Sequence, residues 1–227
     1  MTTDKYIEII RGLYGEKFEK FKDLLLDYNN KFNLTAITDE NGIYIKHFLD
    51  SLMGESLLPV GSEVIEIGSG GGFPSIPLKI IREDLRFTLV ESTGKKCEYL
   101  KAVVDKLEFD CVKVINARAE ELGKDKNYRE KYDFAVARAV ARMNSLVEYC
   151  LPFVKVGGKF IAYKGDCDDE LKQAERAIEV LGGKIEAVEK YLLPDDGKRT
   201  LAVIKKVAPT PPKYPRGQGK ERKNPIC

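Results

Sequence analysis

Long apolar runs are missing from this sequence. None approaches the length that spans a bilayer, and no charged-then-apolar leader opens the chain. The expectation is a cytoplasmic, unprocessed protein with no membrane partner. Cysteine is scarce and scattered. The five, at positions 97, 111, 150, 167 and 227, are odd in number and form no C-x-x-C pair. That argues against a disulfide framework and against a metal site, and it suits a reducing compartment. Net charge is also nearly absent, at a formal +2, so any polyanion-binding surface must come from a local excess. No phosphate-cradling Gly-Lys-Ser/Thr triplet occurs, and no internal repeat is visible.

What is present is concentrated in one stretch. Val64-Ile65-Glu66-Ile67 reads as a buried strand, and it runs into Gly68-Ser69-Gly70-Gly71-Gly72-Phe73. Glycine accepts positive φ and lets a ligand approach bare backbone. Residues 74–81 then supply a proline-started helix, so the turn lies between strand and helix, where open α/β sheets hold nucleoside-like cofactors. Glu91 ends the apolar run Phe87-Thr88-Leu89-Val90, 23 residues beyond Gly68, a position suited to binding ribose hydroxyls. The dinucleotide pattern needs a third small residue where this chain has Phe73. A turn closed by an aromatic suits a ligand without pyrophosphate, such as S-adenosylmethionine (SAM), with Glu66 facing its cationic end.

The length of 227 residues, 43% of them apolar, fits one domain with a modest extension. Residues 1–58 have helical periodicity, with Phe18, Phe21, Leu25 and Tyr28 on one stripe and Ile45, Phe48, Leu49 and Leu52 on another. Tyr6, Ile7, Ile10 and Leu13 read as core. Thr38 or Asp39 is placed to cap the second stripe's helix, with Asn41-Gly42 delaying its start. Residues 59–206 alternate strands (62–67, 86–91, 111–116, 132–137, 159–164) with helices (74–82, 94–108, a short one from Arg118, 143–151, 169–181). Helix 94–108 is expected to bury Cys97, Leu100, Val103, Val104 and Leu107. The last strands, 184–192 and 199–206, flank the turn Pro194-Asp195-Asp196-Gly197 and must run antiparallel. Such alternation predicts a doubly wound, mostly parallel α/β sheet.

Residues 207–227 form a Pro-containing tail. Lys213, Arg216, Lys220, Arg222 and Lys223 face a single acid there, Glu221. An extended basic segment suits a phosphate backbone, though a solvated terminus reads the same way. Arg138, Arg142 and Lys164 follow strand ends on the cofactor side, and Arg138 and Arg142 share a face if a helix begins there. Lys164 reads either as an RNA contact or as a solvated strand end. Lys95 and Lys96 open a helix, where positive charge is unfavourable, so a polyanion contact and simple solvation both remain. His47, the sole histidine, borders an apolar stripe and reads as packed or helix-bridging.

Several blocks together resemble the ribosomal RNA small subunit methyltransferase G family, also called glucose-inhibited division protein B. They are Asn33-Leu34-Thr35-Ala36-Ile37, His47-Phe48-Leu49-Asp50-Ser51-Leu52, Gly68 through Pro74, Glu91 through Lys96, Arg118-Ala119-Glu120, Ala137-Arg138-Ala139, Tyr163-Lys164-Gly165 and the end from Tyr214-Pro215-Arg216-Gly217 to Asn224-Pro225-Ile226. The resemblance implies a seven-stranded Rossmann-like SAM-dependent methyltransferase sheet with a closing antiparallel hairpin. It also implies methyl transfer to N7 of a guanine in a loop of 16S (small-subunit) ribosomal RNA. Cofactor contacts implied by position are Gly68, Phe73, Ala119, Glu120 and Arg138, with Gly70 and Gly72 from the turn itself. Segment 123–131 is longer and more charged than the family pattern, which leaves its role open.

The chemistry agrees. Guanine N7 carries a lone pair and no proton, so positioning suffices and no base is required. No cysteine sits in a nucleophile motif, and no Asn/Asp-Pro-Pro-aromatic tetrad occurs; the one Pro-Pro, 211–212, follows Thr210 in the tail. A monomer without metal, acting on 16S rRNA or the small subunit, is expected. The alternatives are a SAM-dependent enzyme acting on a small molecule or another RNA, and a non-enzymatic RNA-binding protein. An NAD-dependent oxidoreductase is more distant.

Overall fold

The computed structural model describes residues 3–226. Its centre is a seven-stranded sheet in the order β3-β2-β1-β4-β5-β7-β6. β1 (Glu63–Ile67), β2 (Arg86–Glu91), β3 (Val112–Asn116), β4 (Tyr132–Arg138) and β5 (Val154–Lys164) pair in parallel. β6 (Gly183–Leu192) and β7 (Lys198–Lys206) form the antiparallel hairpin, and β7 is the reversed strand against β5. The chain winds outward from β1 to β3 and then returns to lay β4 beside β1. That reversal opens a crevice at the carboxyl ends of β1 and β4.

Alternation along the strands divides the core into two layers. Val64, Phe87, Leu89, Phe134 and Val136 face one cluster, and Ile65, Ile67, Val90, Ala135 and Ala137 the other. The first is covered by α1 (Thr3–Arg11), α2 (Gly15–Asn29) and a continuous helix over 40–52. That helix comprises α3 (Glu40–Gly42), a π-helical stretch Ile43–Leu49, and α4 (Asp50–Leu52). α5 (Ser75–Ile81) and α6 (Gly94–Lys106) complete this layer. The second layer contains α7 (Ala119–Leu122), α8 (Met143–Cys150), α9 (Asp168–Val180) and a C-terminal turn, α10 (Lys220–Lys223). No helix among the described residues is long and apolar enough to cross a membrane.

Several local expectations are corrected. Asn41-Gly42 does not delay its helix, because the Asp39 side chain caps it directly by accepting from the Gly42 N–H at 2.7 Å. Leu13 lies in the bend between α1 and α2 and is 84% exposed. Val104 is only half-buried, at the edge of the α6 stripe. β5 starts at Val154 and takes in Gly157-Gly158, which were expected to precede it. A register shift against β4 lies there, and a Cβ at Gly158 would meet the Asp133 carbonyl oxygen at 2.4 Å, so the glycines serve a bulge inside the strand.

Candidate active site

The glycine turn caps β1. Gly68 and Ser69 donate their N–H groups to the Val90 carbonyl at 2.8 and 3.1 Å, and Gly72 N–H reaches Ser69 O at 2.6 Å. φ is positive at Gly68 (+71°), Gly70 (+49°) and Gly72 (+85°). A Cβ at Gly68 would lie 2.8 Å from Val140 Cγ2, and one at Gly72 would lie 2.6 Å from Ile76 Cγ1. Both positions therefore admit glycine alone. Glu91, buried at the end of β2, accepts from Gly70 N–H at 3.1 Å and from Thr93 N–H at 2.8 Å. Its carboxylate ties the turn to the loop after β2.

Against this turn opens a cleft of about 320 Å³. Ile67, Val90, Ala117, Ala119 and Val140 give it apolar walls, and Gly68, Ser92, Arg118, Glu120 and Tyr149 complete the strand and helix side. Glu120 is buried, with the Arg118 guanidinium 3.9 Å from its carboxylate. The remaining wall, Gly219, Glu221 and Arg222, comes from the C-terminal tail. Sequence reasoning missed this wall, because the tail's basic excess drew attention away from Glu221.

Other expected residues fall on the opposite face. Glu66 follows the parity of Val64 and points into the first core layer at 0% exposure. There Oε2 accepts from Ser75 N–H at 3.3 Å and Oε1 has no partner among the described residues. Burial pushes its carboxyl up to about 8, against the Ser75 N–H hydrogen bond and the charge of Arg138. Phe73 packs on Phe21 and stacks on His47 with 4.5 Å between centroids. The Arg138 guanidinium lies 4.7 Å over the Phe73 ring and donates to Lys46 O at 3.0 Å, Asp50 Oδ2 at 3.2 Å and His47 Nδ1 at 3.0 Å. A guanidinium only donates, so His47 Nδ1 is the acceptor, and Nε2 carries the proton toward Thr35 Oγ1 at 2.7 Å. Burial, then the Arg138 charge, pushes His47 down to about 3, so it stays neutral. It bridges elements, as its sequence position indicates. Asp50 also accepts from Tyr191 on the hairpin at 2.8 Å. Thus Arg138 clamps the π-helical segment and, through Asp50, the hairpin over the end of β4. It does not line the cleft, and Met143 rather than Arg138 begins the next helix, so Arg138 and Arg142 share no helical face.

The cations divide into those tethered under cover and those left exposed. Lys164, expected at an RNA surface, donates to Ala141 O at 2.9 Å and pairs with Glu170 at 2.7 Å, and its side chain is largely covered. The tail is not an extended basic arm. Arg216 is consumed by Glu148, which is wholly buried and accepts from its N–H, Nε and Nη2 at 2.7–3.2 Å. Arg222 Nε donates to Tyr149 OH at 3.1 Å. The open role of segment 123–131 is answered by its contacts. Arg129 donates to the carbonyls of Gly123, Thr210, Pro211 and Tyr214, and Glu130 accepts from Thr210 N–H at 2.7 Å, so this loop docks the tail. Lys95, Arg142, Lys213, Lys220 and Lys223 remain exposed and Lys96 half-exposed. Among the described residues no cluster of His, Cys, Asp and Glu is placed to hold a metal.

Comparison with known proteins follows the same lines. Solved structures share the fold at low identity. M. jannaschii TYW2 in complex with AdoMet aligns over 76% of this chain and 80% of its own with TM-score 0.58 and 14% identity. A mutant of MtNAS aligns over 92% and 83% with TM-score 0.57 and 15% identity. Sequence relatives are far nearer. The ribosomal RNA small subunit methyltransferase G of Acetivibrio thermocellus is 48% identical over 93% of this chain and 88% of its own length. That of Lactobacillus johnsonii is 45% identical over 93% and 91%. Residues 15–199 match the family profile described as rRNA small subunit methyltransferase G. The chain belongs to the ribosomal RNA small subunit methyltransferase G family.

Proposed function

We propose that this protein transfers a methyl group from SAM to N7 of a guanine in a loop of 16S ribosomal RNA, acting as a cytoplasmic monomer without metal. The observation that carries the reading is the cleft beside the glycine turn, at the strand-order reversal where open α/β sheets take their ligands. The residues fit the cofactor. Bare backbone at Gly68 and Gly70 gives close approach, and the apolar slot formed by Ile67, Val90 and Ala119 accepts a flat base. Glu91 and Glu120 provide acceptors for hydroxyl and amino donors at the turn and slot.

SAM supplies an electrophilic methyl group on a cationic sulfur. The protein's task is to hold two partners in line and keep water out. Guanine N7 has its lone pair free at any pH near neutrality, so no side chain need remove a proton. Neutral His47 and the Arg138–Asp50 pair act by positioning, since they fix the helical layer over Phe73 and the end of β4. Glu66 acts in the same way through the start of α5. N7 lies on the edge that A-form RNA hides in its deep groove, so the target guanine must be unstacked. Lys95, Lys96, Arg142, Lys220 and Lys223 lie on segments that border the cleft and would hold the flanking phosphates. Lys213 is the further exposed cation of the tail.

Ribosomal RNA transcribed with 7-deazaguanosine, in which a C–H replaces N7, tests the reading. It is expected to bind and to accept no methyl group, whereas the unmodified transcript or particle is methylated. Equal methylation of both would refute transfer to N7.

A further inference from the structure

The C-terminal tail is built into the cleft with more precision than a cover over apolar surface requires. Arg129 gathers three of its carbonyls, and the Arg216–Glu148 pair fixes it to α8. Gly219, at φ +74°, then turns the chain sharply, and Ser145 Oγ donates to Glu221 O at 2.7 Å. The result is that Glu221, in a run of cations, is 1% exposed and lines the cleft.

Its carboxylate is half satisfied. Oε1 accepts from Tyr149 OH at 2.8 Å. Burial raises the Tyr149 phenol well above its ordinary value, so the phenol keeps its proton and donates. The phenol oxygen in turn accepts from Arg222 Nε. Oε2 is buried with no donor among the described residues. Buried acceptors are almost always paired, so one left open beside a ligand cleft calls for a donor on the ligand. The cleft sets the apolar Ile67, Val90, Ala117, Ala119 and Val140 beside the polar Ser92, Arg118 and Glu120, a lining that suits a ring system with polar groups on its edge.

Resting on the reading of this cleft as the SAM site, we propose that Glu221 is a specificity residue. Its Oε2 accepts a hydrogen bond from the exocyclic amino group of the cofactor's adenine. The tail is thereby part of the nucleoside pocket, and an acid within the basic segment reads the base. Of the cofactor's N–H and O–H donors, only this amino group is carried on a flat ring. The ribose hydroxyls belong to the more polar turn beside Glu91.

Calorimetric titration of the full chain tests this without turnover. The probes are S-adenosylhomocysteine and its purine analogue, in which hydrogen replaces the exocyclic amino group, so ring N1 stays an acceptor and only the donor is lost. Wild type is expected to prefer the adenine compound by about 10-fold to 100-fold, the range for leaving a buried acceptor unpaired. Glu221→Ala is expected to bring the two affinities to within about threefold. Glu221→Gln preserves shape and the Tyr149 contact through its amide oxygen and turns an N–H toward the base, so the preference should vanish or reverse. Its melting temperature reports that the tail remains docked. Equal binding of both compounds by wild type, or a full adenine preference retained in both variants, would overturn the proposal and leave Glu120 as the reader. Failure of wild type to bind S-adenosylhomocysteine at all would overturn the cofactor reading, and the role of Glu221 with it.

Discussion

Arg216→Ala separates a structural tail from an RNA-binding one. In the structure Glu148 is fully buried, and Arg216 meets it with its N–H, Nε and Nη2. Removing the guanidinium leaves a carboxylate facing a dry pocket, a change that costs about 3–5 kcal/mol when one partner of a buried pair is deleted. The chain can limit this cost by releasing the tail rather than unfolding, so the lower end applies. About 3 kcal/mol corresponds to a melting temperature lower by roughly 6–12 °C for a chain of this size. Undocking also exposes residues beyond 207 to protease and removes the Gly219–Arg222 wall, so affinity for S-adenosylhomocysteine should fall as well. Arg216→Lys keeps the charge but not the forked geometry and should recover only part of the stability. The double variant Glu148→Ala/Arg216→Ala should be less destabilised than the sum of the two single variants. Thermal denaturation, limited proteolysis and calorimetry read these outcomes. The reasoning is refuted if Arg216→Ala melts like wild type and loses only RNA affinity, because Arg216 would then be a free cation.

Gly68→Val places a Cβ against Val140 at positive φ, and it should weaken S-adenosylhomocysteine binding by at least about tenfold. Gly70→Ala meets nothing nearer than 3.7 Å but sets a Cβ on a positive-φ turn that the cofactor approaches, so it should weaken binding too, by less than Gly68→Val in the same titration. The Glu66 carboxyl, ordinarily 4.5, stands at about 8 in the folded protein, so between those values the unfolded chain is ionised and the folded one protonated. Stability therefore falls as pH rises through this window, and Glu66→Gln should flatten that slope in urea titrations. His47 is held at about 3, so the unfolded chain takes up a proton near 6.5 and the folded protein does not. Its contribution to stability is lost as pH falls below 6.5, yet methyl transfer should show no inflection near 6.5. A histidine-like limb in the pH–rate profile would mean that His47 works as a base.

The centre of the sheet was readable in the sequence because β1, β2 and β4 are largely buried on both faces and appear as nearly unbroken apolar runs ended by turns. β2 is the clearest case, with its bounds given by Arg86 and Glu91. The first half of β5 was hidden because Gly157 and Gly158 usually punctuate turns, and here they relieve a bulge against Asp133. At the site, the glycine turn was readable from local chemistry, since backbone conformation decides it, whereas the 118–120 block was legible only through the family resemblance. The fates of Lys164, Arg216 and Glu221 were not. Each depends on a partner from a distant element: Glu170 on α9, Glu148 and Tyr149 on α8. A charge that looks solvated in one dimension is paired in three. Parity along β1 does show that Glu66 shares a face with Val64 rather than Ile67, but the face that carries the cleft becomes evident only once the helical layers are placed.

The most direct test of the central claim is a single-turnover reaction of the purified protein, methyl-labelled SAM and small-subunit rRNA that has never been methylated. The RNA is then digested to nucleosides and the label located. The account predicts one labelled 7-methylguanosine per rRNA molecule. Label on a ring carbon, on an exocyclic amine or on a ribose, or no label in the RNA at all, would contradict it.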